Sequence, residues 1–135
     1  MRPHNLTVGD LMSTALVTVR ASEPVSDALA EMELGVIRHL PVVDDHGRLV
    51  GVLSERDLHI ANHGKRMPRV AELMTREVVT IRPEAAAHRA AELMLEYKIG
   101  SVAVVDDANT LVGIVTATDF LDLARRALLG QSLER

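Results

Sequence analysis

The chain repeats itself without a gap. Gly51 and Gly113 lie 113 − 51 = 62 residues apart, and sliding residues 8–58 onto 70–120 gives identity at 17 of 51 positions. Leu11/Leu73, Met12/Met74, Thr18/Thr80, Ala28/Ala90, Met32/Met94, Asp44/Asp106 and Asp57/Asp119 are among the matches. A repeat of this period restricts the chain to architectures made from two copies of one supersecondary unit. A unit of about 50 residues buries too little surface to stand comfortably alone, so the halves are expected to share a core as a pseudo-twofold pair.

Each copy carries the same order of local signals. It opens on a short helical turn ending in Ser or Thr, Val8-Gly-Asp-Leu-Met-Ser-Thr and Val70-Ala-Glu-Leu-Met-Thr-Arg. The β-branched runs 16–19 and 78–81 then predict short strands holding Thr18 and Thr80. Val25, Ala28, Leu29 and Met32, and likewise Ala87, Ala90, Ala91 and Met94, fall at i, i+3, i+4, i+7 and predict an amphipathic helix. Gly35 is suited to end the first of these. Apolar runs at 40–43 and 49–53, joined by Asp44-Asp-His-Gly47, predict a hairpin, with a twin at 102–105 and 111–115. Pro41 cannot donate to a ladder and is expected at a strand start or an edge. A second helix follows, beginning at Ser54-Glu-Arg-Asp57 or Thr116-Ala-Thr-Asp119. The expectation is a mixed α/β (α+β) fold of two tandem βαββα repeats, at 7–66 and 67–129, with 130–135 a fraying tail. The helix between the first strand and the hairpin makes that connection a right-handed parallel crossover.

Composition narrows function by exclusion. Lys and Arg number 15 against 19 acidic residues, a net charge of −4, and the single Tyr, single Phe and absent Trp leave nothing on which bases could stack. No nucleic-acid partner is expected. With no cysteine there is no disulfide, thiolate metal site or cysteine nucleophile, which fits a reducing cytoplasm. The start reads as no signal peptide, and no apolar window approaches a membrane span. A soluble, cytoplasmic protein without a membrane partner is expected.

No P-loop and no serine, histidine and acid arrangement declares an enzyme, and two repeats leave little room for a catalytic site, so none is expected. His59 and His63 stand at i, i+4, a spacing able to hold zinc. Ile60 occupies the place of a metalloprotease general base, and the pair reads as ordinary residues near a helix end, so no metal is assigned. Turn chemistry accounts for Asp44-Asp45 and Asp106-Asp107. The Ser-x-x-Asp and Thr-x-x-Asp motifs admit two readings. They are capping boxes, in which hydroxyl and carboxylate satisfy the first helical N–H groups. They are also able to bind a ligand, because a carboxylate accepts both hydroxyls of a ribose diol and a helix start favours phosphate. The two uses compete for the Asp carboxylates.

Arg38-His-Leu-Pro-Val-Val-Asp44 with Gly51-Val-Leu-Ser-Glu-Arg-Asp57, and Gly100-Ser-Val-Ala-Val-Val-Asp106 with Gly113-Ile-Val-Thr-Ala-Thr-Asp119, resemble cystathionine-β-synthase (CBS) domains, and two in tandem resemble a Bateman module. The resemblance covers residues 7–128 and suggests a stand-alone CBS-domain protein. It implies a regulatory module that binds an adenosine-containing metabolite in one or two clefts between the repeats. AMP, ADP or ATP is the first expectation, with S-adenosylmethionine or NAD(H) as further ones, as a regulatory ligand for energy sensing and not a required cofactor. By resemblance Asp57 and Asp119 accept ribose hydroxyls, Ser54 and Thr116 contact ribose or phosphate, and Thr18 and Thr80 face adenine. Arg38, His39 and Arg56 in the first copy, and Ser101 and Thr118 in the second, stand near the proposed sites. Gly51 and Gly113 would let a ligand or another strand approach closely. Arginine forks phosphate oxygens, so the first site is expected to tolerate more phosphate charge. A homodimer through helical faces and an unidentified protein effector are implied too. The alternative is a ligand-free dimerisation or protein-interaction module.

Overall fold

The computed structural model describes residues 5–35, 39–61 and 66–133, without the side chains of 59–61. The elements in order are α1 (Val8–Leu11), β1 (Val19–Arg20), α2 (Val25–Gly35), β2 (His39–Val43), β3 (Leu49–Ser54), α3 (Glu55–Ala61), α4 (Val70–Leu73), β4 (Thr80–Ile81), α5 (Ala87–Tyr97), β5 (Ser101–Val105), β6 (Leu111–Thr116) and α6 (Ala117–Leu128). They form two three-stranded sheets, ordered β1-β2-β3 and β4-β5-β6. As the helical connections predict, β1 runs parallel to β2 and β4 parallel to β5, and β2 pairs antiparallel with β3. The fold is mixed α/β, as expected.

The compact units do not follow the repeat as the sequence divides it. One unit holds Val17–Val78 with Ala108–Leu111, and the other holds the described parts of Met1–Leu16, Val79–Asp107 and Val112–Arg135. We call them the β1–β3 unit and the β4–β6 unit. The leading turn of the first repeat, α1, therefore packs in the β4–β6 unit, and that of the second, α4, in the β1–β3 unit. Val8 N donates to Ala85 O (2.8 Å), Gly9 N to Pro83 O (2.9 Å) and Ala87 N to Leu6 O (2.8 Å). Sixty-two residues on, the same bonds recur in the β1–β3 unit: Val70 N to Glu23 O (2.9 Å), Ala71 N to Ala21 O (2.9 Å) and Val25 N to Pro68 O (2.9 Å).

Each leading turn, with the residues just after it, forms a clip that also bridges the outer edge of a sheet. Val52 of β3 exchanges both backbone bonds with Thr75 (2.9 Å each), and Ile114 of β6 does the same with Ser13 (2.9 and 3.0 Å). An open edge would leave a row of unpaired N–H and C=O groups. Just before each bridge a methionine lies flat on a strand glycine. A Cβ on Gly113 would stand 2.5 Å from Met12 Sδ, and one on Gly51 2.7 Å from Met74 Sδ. These glycines were expected to admit a ligand or another strand, and the clips fill the space.

The helices α2 and α5 bury one stripe each, with a correction. Val25, Ala28 and Met32 of α2 are buried, but Leu29 is exposed. In α5 Ala87, Ala90 and Met94 are buried, and Leu93 joins them while Ala91 is only half-buried. These side chains pack with strand residues Leu40, Val42, Leu53, Val102, Val104 and Val115, which are almost wholly buried; β3 and β6 alternate in burial, while β2 and β5 are buried at four consecutive positions.

Pro41 was expected at a strand start or edge and instead sits inside the central strand β2. The register explains how. Val19 pairs with Val42 and Arg20 with Val43, and Ala21 N donates to Val43 O (3.2 Å). Carrying that ladder one residue back would need an N–H from Pro41, which has none. In the second sheet Ala103 occupies the matching place, and there β4 starts one residue earlier, at Thr80, paired with Ala103. The strand predicted over 16–19 is thus displaced to Val19–Arg20, with Thr18 just before it.

The hairpin turn forms as predicted: Asp44 Oδ1 accepts from His46 N (2.8 Å) and Arg48 N (3.0 Å), and Gly47 takes φ +80°. Those bonds, the one from Arg48 first, hold the Asp44 carboxyl below the usual carboxylate range. Asn109 replaces Gly47 in the second copy and adopts φ +63°, a conformation Asn tolerates. Its Nδ2 donates to Leu49 O (2.9 Å) while Leu49 N donates to Asn109 O (3.0 Å).

Of the tail expected to fray, 130–135, the described residues 130–133 are anchored. Gly130 N donates to Ala127 O (3.1 Å) and Gln131 N to Arg126 O (2.9 Å), with Gly130 at φ +72°, the double bond of a Schellman motif closing α6. The turned chain places Leu133 in an apolar cluster with Leu6, Leu11 and Ala87, against Phe120 and Leu123.

Candidate functional site

Where β3 passes into α3 and β6 into α6, the strand must give up its ladder and the helix must satisfy its first N–H groups. Both junctions do so with a reciprocal box. Ser54 N (2.8 Å) and Ser54 Oγ (2.9 Å) donate to Asp57 Oδ2, and Asp57 N donates to Ser54 Oγ (3.2 Å). Thr116 N (2.8 Å) and Thr116 Oγ1 (3.2 Å) donate to Asp119 Oδ2, and Asp119 N donates to Thr116 Oγ1 (3.4 Å). The capping reading is realised at both places. It engages one carboxylate oxygen, Oδ2, in each.

Geometry alone does not separate a ligand site from a cap, because a third box has the same form. Thr7 N (2.9 Å) and Thr7 Oγ1 (3.1 Å) donate to Asp10 Oδ2 at the start of α1, and Asp10 N donates to Thr7 Oγ1 (3.3 Å). What differs is the setting. Asp10 is exposed on a four-residue turn, while Asp57 and Asp119 are half-buried at the ends of sheet strands. Among the described residues no polar or charged side chain is fully buried.

The structure brings part of the expected constellation together. In the β1–β3 unit His39, exposed at the start of β2, is the ladder partner of Ser54, so His39, Ser54 and Asp57 share one end of the sheet. Arg56 is exposed on the first turn of α3. Arg38 and His63 lie outside the described residues. Thr18, half-buried, precedes β1 on the same end of the sheet, two rungs from the His39 level. In the β4–β6 unit Ala117 N donates to Gly100 O (2.9 Å), joining the start of α6 to the residue before β5. Ser101 is half-buried at the start of β5, Thr118 is exposed on α6, and Thr80 is exposed in β4. A Cβ on Gly100 would meet no atom within 4 Å, so the place matching Arg38 is open.

The sequence reading passed over two contributors. Glu55 stands exposed on the first turn of α3 beside Arg56, so negative charge accompanies the arginine there, while Ala117 and Thr118 are neutral. Thr75 and Ser13 stand opposite strand residues two before each box, Val52 and Ile114. The signal for the second was present: a glycine and a methionine, each repeated after 62 residues, are a complementary pair of small and long. Among the described residues no group of three or more His, Asp or Glu could hold a metal ion, and no helix is long and apolar enough to cross a membrane.

Comparison with known proteins places the chain in a family. The CBS domain family matches residues 8–63 and 70–126. A CBS domain-containing protein of Dictyostelium discoideum is 32% identical over 134 residues, covering 90% of this chain and 92% of that protein. Other curated relatives are longer, and the chain spans 21–26% of their length. The crystal structure of CBSX2 in complex with AMP matches with a TM-score of 0.85 and 32% identity, over 92% of this chain and 99% of that one. The CBS domain pair of protein MJ0100, in complex with 5′-methylthioadenosine and S-adenosylmethionine, matches with a TM-score of 0.79 and 33% identity, over 90% and 98%. Matched along almost its whole length, the chain belongs to the CBS domain family and contains two CBS domains in tandem.

Proposed function

We propose that this CBS pair is a regulatory module that binds an adenosine-containing metabolite at the β3–α3 junction, the β6–α6 junction, or both. AMP, ADP and ATP are the first candidates, with S-adenosylmethionine and NAD(H) after them. The observation that carries the reading is the half-buried Ser/Thr-x-x-Asp box repeated at the end of each sheet, in a chain whose solved relatives hold adenosine compounds. A carboxylate at either position is suited to accept a ribose hydroxyl through a charge-assisted bond. Ser54 and Thr116 meet ribose or phosphate, Arg38, His39 and Arg56 or Ser101 and Thr118 flank the phosphates, and Thr18 and Thr80 lie towards adenine. The module carries out no catalytic step, works in the cytoplasm, and reports occupancy to a protein effector through conformation or assembly. It does so because the ligand binds one conformation better than another.

Calorimetric titration with AMP, ADP, ATP, NADH and S-adenosylmethionine tests this. Asp57→Ala and Asp119→Ala each remove a cap as well as the acceptor, so Asp10→Ala, which removes a box outside the proposed sites, is the control. The expected result is binding that weakens more than about tenfold at the mutated site and survives Asp10→Ala. Binding lost equally in all three would mean the boxes act only as caps.

One observation favours assembly as well. Along α6, Ala117, Leu121, Ala124 and Leu128 are exposed at i, i+4, i+7, i+11, with Leu121 at 71% and Leu128 at 88% exposure. We read this stripe as the seat of a homodimer, in line with the dimerisation or interaction module that is the alternative function. Sedimentation should show a dimer that Leu121→Asp with Leu128→Asp converts to a monomer; a wild-type monomer at micromolar concentration would overturn it.

A further inference from the structure

We propose that Met12 and Met74 are the oxidation-responsive positions of this chain, and that converting either thioether to a sulfoxide with a hydroperoxide releases its clip from the sheet edge. The inference is independent of any ligand. It starts from a coincidence in the packing. Each sulfur lies on a strand glycine, at the end of a clip helix, one residue before the bridge that closes the edge. In the reaction the thioether sulfur takes one oxygen from hydrogen peroxide, the O–O bond breaks, an S=O bond forms and water leaves. Sulfur is oxidised by two electrons and the peroxide is reduced by two. No cysteine competes for the oxidant.

The seat was made for a slim apolar chain. An unbranched thioether fits flat on a glycine where a Cβ would not. A sulfoxide adds a strong acceptor, and the backbone donors of the adjoining bridges are already engaged: Thr75 and Val52 N–H bond each other's carbonyls, as do Ser13 and Ile114. At Gly51 the next closest atom is another acceptor, Thr75 O, 2.9 Å from the Cβ position. An oxygen directed at the glycine seat therefore stays unpaired or displaces the bridge.

Exposure orders the reactivity. Among the methionines of the described residues, Met67 is 56% exposed and should oxidise first, without consequence; Met12 and Met74 are half-buried; Met32 and Met94 are buried at 6% and 8% and should react last. The test treats Met67→Leu protein with hydrogen peroxide to partial conversion, maps sulfoxides by peptide mass spectrometry and follows amide hydrogen exchange. The expected result is sulfoxide at Met12 and Met74 before Met32 and Met94, with exchange at the Val52 and Ile114 amides faster by about tenfold. Enzymatic sulfoxide reduction should restore slow exchange, and protein carrying norleucine for methionine should show no change. Sulfoxides at 12 and 74 with unaltered exchange at those amides, or oxidation there no faster than at 32 and 94, would overturn the proposal.

Discussion

The β1–β3 unit and the β4–β6 unit share one fold but are assembled from the chain in different ways. The first is almost contiguous, since Val17–Val78 supplies its sheet, both long helical segments and its clip, α4. The second collects its clip from the start of the chain and its remaining elements from beyond residue 78, and adds a fastener, Leu133, which packs with Leu6, Leu11 and Ala87. The contrast teaches that the repeat in the sequence and the unit in the fold are out of phase by about ten residues. Each copy of the motif lends its leading turn and receives the other's.

The strongest way to break this comparison is to cut the chain in two registers. Residues 17–78 keep α4, whose Val70 is wholly buried, while residues 7–66 lack it. The first fragment should melt cooperatively by circular dichroism and the second should not; equal behaviour would mean that the clip matters little. Next in size is the fastener. Leu133→Ala should cost about 2–3 kcal/mol in urea denaturation. Hydrogen exchange should quicken at Val8 and Gly9 and stay unchanged at Val70 and Ala71, because the cluster that holds Leu133 includes Leu11 of α1 and no residue of α4.

The glycine seats sharpen the comparison further. Gly51→Ala and Gly113→Ala should each destabilise by about 1–3 kcal/mol, but not equally. At Gly113 the crowding atoms all belong to the Met12 side chain, whereas at Gly51 a backbone oxygen, Thr75 O, stands 2.9 Å away. Met12→Ala should therefore relieve Gly113→Ala, and Met74→Ala should relieve Gly51→Ala only in part.

The smallest effect is electrostatic. Glu72 is held below the usual carboxylate range by Arg69 N–H first and then Arg66, and Glu92 by His88 first and then Arg89. With Asp44, two of these lowered carboxyls lie in the β1–β3 unit and one in the other. A carboxyl lowered on folding stabilises above its unfolded pKa, and that contribution disappears as pH falls through the lower folded value. Acidification below about pH 4 should loosen the β1–β3 unit slightly more. Glu72→Gln should diminish that difference in exchange measured at pH 6 and pH 3.5.

Much of this was legible in the residues. The β-branched runs, the 3.6-residue stripes and the Asp-rich turns act over a few neighbours, so the helices and hairpins lie close to where these signals put them. The Ser54–Asp57 and Thr116–Asp119 boxes were equally local. Pro41 was misplaced because its missing N–H matters only relative to a particular neighbour, and that neighbour is chosen by register. Leu29 was expected inside and Leu93 was not, because a stripe's edge is decided by what packs against it. Leu133 looked like a frayed end because nothing within six residues needs it.

What the sequence by itself determined is the repeated βαββα unit, its turns and its caps, because each follows from periodicity, backbone freedom and hydrogen bonding over a short stretch. What only the tertiary structure decided is the owner of each clip and the closing of each sheet edge. The two leading turns share Val, Leu and Met at matching places, and each methionine fits a glycine seat. Local chemistry could therefore not assign them, and packing of distant segments did.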